Sequence, residues 1–300
     1  MNPKFYFLFI VFIVLFNCNK EQSELSKERG IKISYSSELN INELDGRLIL
    51  VLADNDGDEP RFQVTYNLKA QPVFGKNVDG LRPNQEVVFT ASDFGFPYES
   101  LAELKPGTYY AQAVLHTYET FNLKTGHTVK LPMDNGEGQK WNKSPGNLYS
   151  KPIKVQLEEN TIPSFEIVMD QVIPEIPEPE DTKWIKHIKM KSDLLSDFWG
   201  RDMYLGAHVL LPKGFDEHQE AKYPLMVFHG HFPSDFGGFR TTPPDPNLEP
   251  EYSERFGVDG YNIMQQQEAY DFYKRWNEPD FPRFLIIEIQ HPTPYYDDSY

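Results

Sequence analysis

Apolar residues change their rhythm along this chain, and each rhythm predicts a different kind of structure. Residues 5–16 form an unbroken apolar run. From residue 31 to 170 the apolar positions gather instead in short β-branched or aromatic segments: Ile31–Tyr35, Arg47–Ala53, Phe62–Leu68, Glu86–Ala91, Thr108–His116, Ile153–Leu157 and Phe165–Met169. Gly, Pro, Asn and Asp separate them, as in Lys105-Pro106-Gly107. Short strands punctuated in this way, without a sustained 3.6-residue period, predict an all-β, sandwich-like domain over residues 31–170. Residues 124–150 interrupt it as a long polar excursion, of the kind that is often functional or caps a sandwich.

Alternating proline and acid in Pro174-Glu175-Ile176-Pro177-Glu178-Pro179-Glu180-Asp181 predicts an extended strut that cannot enter a sheet, so a linker is expected over residues 171–182. Beyond it Lys186–Lys191 alternates apolar with polar, and Asp202–Leu211 reads as its neighbouring strand. Tyr223–Phe228 is apolar without alternation, which predicts a short strand covered on both faces. Residues 262–276 space Ile263, Ala269, Tyr270, Tyr273 and Trp276 along a helix, and Phe284–Gln290 is the next buried strand. A helix between two such strands is the crossover that a parallel pair needs.

The length of 300 residues suits two domains, and 39% hydrophobic with 25% charged residues is a globular composition. The net charge of −16 disfavours nucleic acid as a partner and gives no charge-driven attraction to an anionic bilayer. Asp54-Asn55-Asp56-Gly57-Asp58 suggests a calcium loop, but an EF-hand needs Gly at its sixth place and Glu at its twelfth. Glu59 and Thr65 stand there, so a solvated hairpin turn is the better reading.

The run Phe5–Phe16 has the length of a signal-peptide apolar core and falls short of a membrane span. Leu15-Phe16-Asn17-Cys18 then resembles the lipobox of bacterial lipoproteins. That resemblance implies a signal peptide over residues 1–17 and lipid attachment at Cys18, with residues 18–30 as a flexible tether. Asn19 in place of aspartate implies an exported protein at the outer membrane or cell surface, held to the membrane through the lipid alone. Cys18 is the single cysteine, so no disulfide is expected. An ordinary secretory signal with an incidental thiol remains the alternative.

Residues 183–300 carry the strongest functional signal. Val209-Leu210-Leu211-Pro212-Lys213-Gly214-Phe215-Asp216, then Lys222-Tyr223-Pro224 and Leu225-Met226-Val227-Phe228-His229-Gly230, resemble esterases of the α/β-hydrolase fold, notably the enterochelin-esterase and esterase D type. The fold class this implies is mixed: a sandwich-like all-β domain followed by the first part of an α/β-hydrolase fold. Acyl transfer builds negative charge on a carbonyl oxygen, and backbone N–H groups after this strand form part of the oxyanion hole. The resemblance assigns that role to His231 and Phe232. His229, Gly230, His291 and Tyr295 are candidates for the substrate pocket. The expected partner is a small-molecule or glycan ester, and no cofactor is expected. Residues 234–261 would be a lid, a substrate platform or a structural loop.

The nucleophile is missing from this pattern. A serine hydrolase needs a G-x-S-x-G elbow or a close variant, and no serine here has that context; Ser234 lacks both glycines. In the fold's chain order the Ser, acid and His follow the strands already met, so the triad is expected beyond Tyr300. His229, His231 and His291 offer a rival reading as metal ligands. Alternate residues on an extended chain point to opposite faces, however, and Asp235 falls too late for an H-x-H-x-D-H pattern. The alternative from a different class is a non-catalytic surface lipoprotein that binds a glycan or another ligand.

Overall fold

The structure is a computed structural model. It describes residues 29–39, 42–65, 67–123, 125–133, 140–159, 161–218, 220–229, 236–253, 255–290 and 294–295. The chain is predominantly β-sheet with few helices. It divides into two compact units, with the boundary after Glu175. No helix among the described residues is long and apolar enough to cross a membrane.

The first unit holds β1 (Ile31–Tyr35), β2 (Leu44–Ala53), β3 (Val73–Leu81), β4 (Val87–Phe89), β5 (Gly95–Phe96), β6 (Gly107–Asn122), β7 (Thr128–Pro132), β8 (Leu148–Tyr149), β9 (Ile153–Leu157), β10 (Glu166–Met169) and β11 (Gln171–Val172). One sheet runs β10-β1-β4. The other runs β11-β8-β6-β2-β3-β5, with β7 and β9 also paired to the long β6. Their inner faces share a core: Ile31, Ile33, Phe89, Ile167 and Met169 from the small sheet meet Leu48, Leu50, Leu52, Phe74 and Leu115 from the large one. Each fully buried side chain of this size contributes about 1.5–3 kcal/mol, and this cluster is the main source of the unit's stability.

β2 shows why the apolar pattern works here. Leu48 to Ala53 are buried throughout because β3 and β6 flank the strand. At its start the β2–β3 register shifts between Leu44 and Gly46. A Cβ on Gly46 would lie 2.2 Å from the His116 carbonyl oxygen of β6, so only glycine lets the two backbones approach this closely.

Several expectations need correction. Phe62–Leu68 is not a strand: residues 60–62 form a 3-10 turn started by Pro60, and β2 pairs instead with β3, beginning at Val73. The acidic segment 54–58 is therefore no hairpin turn but the start of a longer connection. It is folded by its own side chains, with Gly57 N donating to Asn55 Oδ1 and Glu59 N to Asp58 Oδ1. The polar excursion 124–150 contains β7 and β8, drawn into the sheet by β6. Gln171 and Val172, expected in the linker, pair with Tyr149 and Leu148.

The second unit holds β12 (Ile185–Lys191), α1 (Asp193–Trp199), β13 (Tyr204–Leu210), β14 (Leu225–Phe228), α2 (Tyr261–Trp276) and β15 (Leu285–Ile289). The sheet order is β12-β13-β15-β14. β13 is antiparallel to both of its neighbours, whereas β15 and β14 are parallel and joined through α2. Gly200, at φ +66°, ends α1, and Ser192 caps its start by accepting from Leu195 N.

Core burial fades across this sheet. Ile185, Leu210, Ile286 and Met226 are lateral neighbours on one face. Phe272, Tyr273 and Trp276 of α2 pack over that face, and the Trp276 indole donates to the Leu211 carbonyl at 2.9 Å. Leu210 is 0% exposed and Ile286 5%, but Met226 is 46%. The remaining residues of β14 are as exposed, Val227 at 53%. The expectation that Tyr223–Phe228 is covered on both faces fails: the strand forms, but at the sheet's edge, with no second neighbour and no helix over it among the described residues.

Candidate functional site

Several described residues of the motif that carried the esterase resemblance have a physical role. Gly214 adopts φ +79°, a left-handed turn that sends the chain from β13 into the short 3-10 segment Phe215–Glu217. Phe215 packs on Tyr223 with ring centroids 5.7 Å apart, closing that loop. Lys213 donates to the Asn277 carbonyl at 3.0 Å, tying the loop to the end of α2. The Pro224 carbonyl then accepts from Leu285 N at 2.9 Å and starts the parallel pairing of β14 with β15.

Of the expected site residues, Cys18, Gly230, His231, Phe232 and His291 lie outside the described residues. His229 follows β14 directly and is exposed. Tyr295 lies beyond β15 and is half-buried, its ring edge-on to Trp199 of α1 at 5.7 Å. β12 runs parallel to β15 and β14, since β13 is antiparallel to both of the strands it separates. The end of β12, α1, Tyr295 and His229 therefore share the carboxyl end of the parallel strands. That is where sheets of this kind place their sites.

The same end carries a row of titratable side chains that the sequence reading did not single out. His187, His208 and Glu288 are lateral neighbours on one sheet face, next to Phe228. The two imidazoles meet edge to face at 4.9 Å, and His208 is 2% exposed. Asp181 Oδ1 lies 3.2 Å from His187 Nδ1 and also accepts from the His187 backbone N–H at 2.8 Å. These bonds, led by the backbone one, hold the Asp181 carboxyl below the usual carboxylate range. The signal was present in the sequence as His187, His208 and Glu288 on adjacent strands, but only the pairing register puts them in line.

The row can orient an imidazole through a carboxylate and keep charge near the strand ends. It does not contain a nucleophile. Among the described residues no group of three or more His, Cys, Asp or Glu is placed to hold a metal ion.

Beside α2 lies a shallow pocket of about 420 Å³, lined by Phe236, Phe239, Arg240, Asn262, Gln265 and Gln266. Phe239 is its anchor, packed on Trp184, Phe272, Tyr273 and Trp276. Part of the predicted lid region thus supplies the aromatic floor and one guanidinium, and α2 supplies the amides. No family model matches the chain, and no curated protein matches it.

Proposed function

We propose that this chain is the leading part of a lipid-anchored carboxyl-ester hydrolase of the serine α/β-hydrolase type, with the nucleophile-bearing part outside residues 1–300. The observation that carries this reading is the second unit's sheet. Its order is β12-β13-β15-β14, its last two strands are parallel, and α2 crosses between them. A mixed sheet that turns parallel through a helical crossover is what the opening of such a fold requires. An apolar parallel strand left exposed at the edge, as β14 is, is an unusual terminus, because parallel sheets are normally covered on both faces. A further strand beside β14 would cover it and bring a serine elbow to the end where His229 lies.

In this reading the backbone N–H groups after His229, at His231 and Phe232, stabilise the developing oxyanion. His229, Gly230, His291 and Tyr295 border the substrate, a small-molecule or glycan ester. Anchoring through Cys18 places the enzyme at the outer membrane or cell surface. The 300-residue chain alone is expected to give no burst of p-nitrophenol from a short-chain p-nitrophenyl ester. Reading the gene onward from Tyr300 is expected to show a G-x-S-x-G-type elbow followed by an acid and a histidine. A burst from the 300-residue chain, or a stop codon directly after Tyr300, contradicts the proposal. Cys18→Ser is expected to abolish acylation by labelled palmitate, and unchanged labelling contradicts the anchor.

A second reading, a ligand-binding lipoprotein without chemistry, is favoured by the amide- and aromatic-lined pocket beside α2.

A further inference from the structure

The first unit carries a pocket that the hydrolase reading does not use. It measures about 560 Å³ and is lined by Asp58, Phe62, Lys140, Asn142 and Lys143. Two connections meet here, the one that follows β2 and the one that leads into β8, and a buried polar cluster locks them together. Arg61, 8% exposed, is its centre. Its Nε donates to Glu59 Oε2 at 2.9 Å and its Nη1 to the Asn142 carbonyl at 2.9 Å. The guanidinium stacks on Tyr149 at 4.2 Å and on Phe62 at 4.4 Å. Gln112, 0% exposed, donates to Glu59 Oε2 and to the Ser150 carbonyl, both at 2.8 Å. Asn142 Nδ2 returns a bond to the Arg61 carbonyl at 3.1 Å. The Arg61 Nε, Nη1 and ring-stacked guanidinium all hold the two connections, so Arg61 is a strut and not a ligand contact.

The strut fixes what faces the pocket. Phe62 is held half-buried by its backbone N–H bond to the Glu59 carbonyl at 2.8 Å and by the guanidinium packed on it. Lys143 Nζ stands 5.7 Å from the Phe62 ring centre, a 2.7 Å bond from Lys143 N to the Lys140 carbonyl closes a turn there, and both lysines line the pocket. Neither lysine has a carboxylate partner among the described residues. Asp58 brings one carboxylate to the lining; its Oδ1 accepts from Glu59 N at 2.7 Å.

We propose that this pocket binds an acidic saccharide unit, a sugar ring bearing a carboxylate, independently of the hydrolase reading. Two ammonium groups with no carboxylate partner among the described residues, on a chain of net charge −16, give a single anionic group a local place to settle. The exposed apolar part of the Phe62 ring offers C–H contact to a pyranose ring. The Asp58 carboxylate and the Asn142 side-chain oxygen accept from sugar hydroxyls. Asp58 also discriminates: a phosphate dianion would be repelled by it, whereas a hydroxyl-rich monoanion gains a hydrogen bond.

Titration calorimetry on the full chain, with the monosaccharide methyl glycoside of galacturonate as the probe, tests the site. Saturable binding is expected, at least about tenfold tighter than for the neutral methyl galactoside. The double variant Lys140→Gln/Lys143→Gln is expected to weaken it at least about tenfold with an unchanged urea midpoint, and added salt to weaken it further. Phe62→Leu, which keeps the packing and removes the ring, is expected to lose affinity for the neutral and acidic sugars alike. Lys151→Gln, on the same unit but outside the pocket, is expected to bind as the parent does. Equal affinity for the neutral sugar overturns the proposal, as does inorganic phosphate binding as tightly. So does a folded double variant that binds like the parent, or the absence of saturable binding.

Discussion

β2 and β14 are both continuous apolar runs, Leu48-Ile49-Leu50-Val51-Leu52 and Leu225-Met226-Val227-Phe228, yet one is buried throughout and the other exposed throughout. The difference lies in their neighbours. β2 sits between β3 and β6 in the large sheet and beneath the small one. Among the described residues β14 has β15 on one side only. An apolar run therefore states what a strand needs, and the surrounding chain decides whether it gets it. A strand built for cover but lacking it is the basis for placing further sheet beside β14.

The comparison breaks if the two strands cost the same to truncate. Leu50→Ala should destabilise the first unit by about 3 kcal/mol, through lost burial and the cavity left behind. Val227→Ala should cost the second unit less than about 1 kcal/mol, because its side chain is already half in water. Urea unfolding followed by hydrogen exchange within each strand reads both values.

A pH series sharpens the first half of the comparison. Burial pushes the His116 imidazole on β6 down to about 4. Between that value and the ordinary value near 6.5, the unfolded chain takes up a proton that the folded chain refuses. Stability is thus complete above about pH 6.5 and is lost as the pH falls toward 4, by on the order of 3 kcal/mol at most. His116→Gln should flatten that dependence in urea midpoints, and a parent protein equally stable across the window would contradict it.

Val227→Lys addresses the other half. An exposed apolar edge favours strand-to-strand association, and a lysine blunts it. Sedimentation velocity should show concentration-dependent association of the parent 300-residue chain that the variant lacks, with stability unchanged within about 0.5 kcal/mol. The smallest effect is expected at Lys130, paired on the surface with Asp45 and Asp79. Its charge is screened by solvent, so Lys130→Met should leave the unfolding midpoint where it is.

How far the sequence could be read follows from the same contrast. β1, β9 and α2 were legible because alternation or a helical face coincides with what each buries. β3 was not, because Gly75, Asn77, Asp79 and Gly80 hide a strand whose place is set by pairing with β2. α1 carried its caps, Ser192 and Gly200, in plain view, but with Leu194 and Phe198 exposed it has no buried face to create a period. The site was legible only as motif and position. The Pro212-Lys213-Gly214-Phe215 turn could be identified from residue types, and His229 placed at a strand end. The row of His187, His208 and Glu288 depends on a register that no local pattern encodes.

The central claim is that the catalytic serine belongs to this sheet but not to these 300 residues. It is tested most directly by treating the protein, as its own cells make it, with a fluorophosphonate probe and mapping the labelled peptide. A single label on a serine in a G-x-S-x-G-type elbow beyond Tyr300 is the predicted result. A label on Ser234 or any other serine within residues 1–300, or no label at all, would contradict the account.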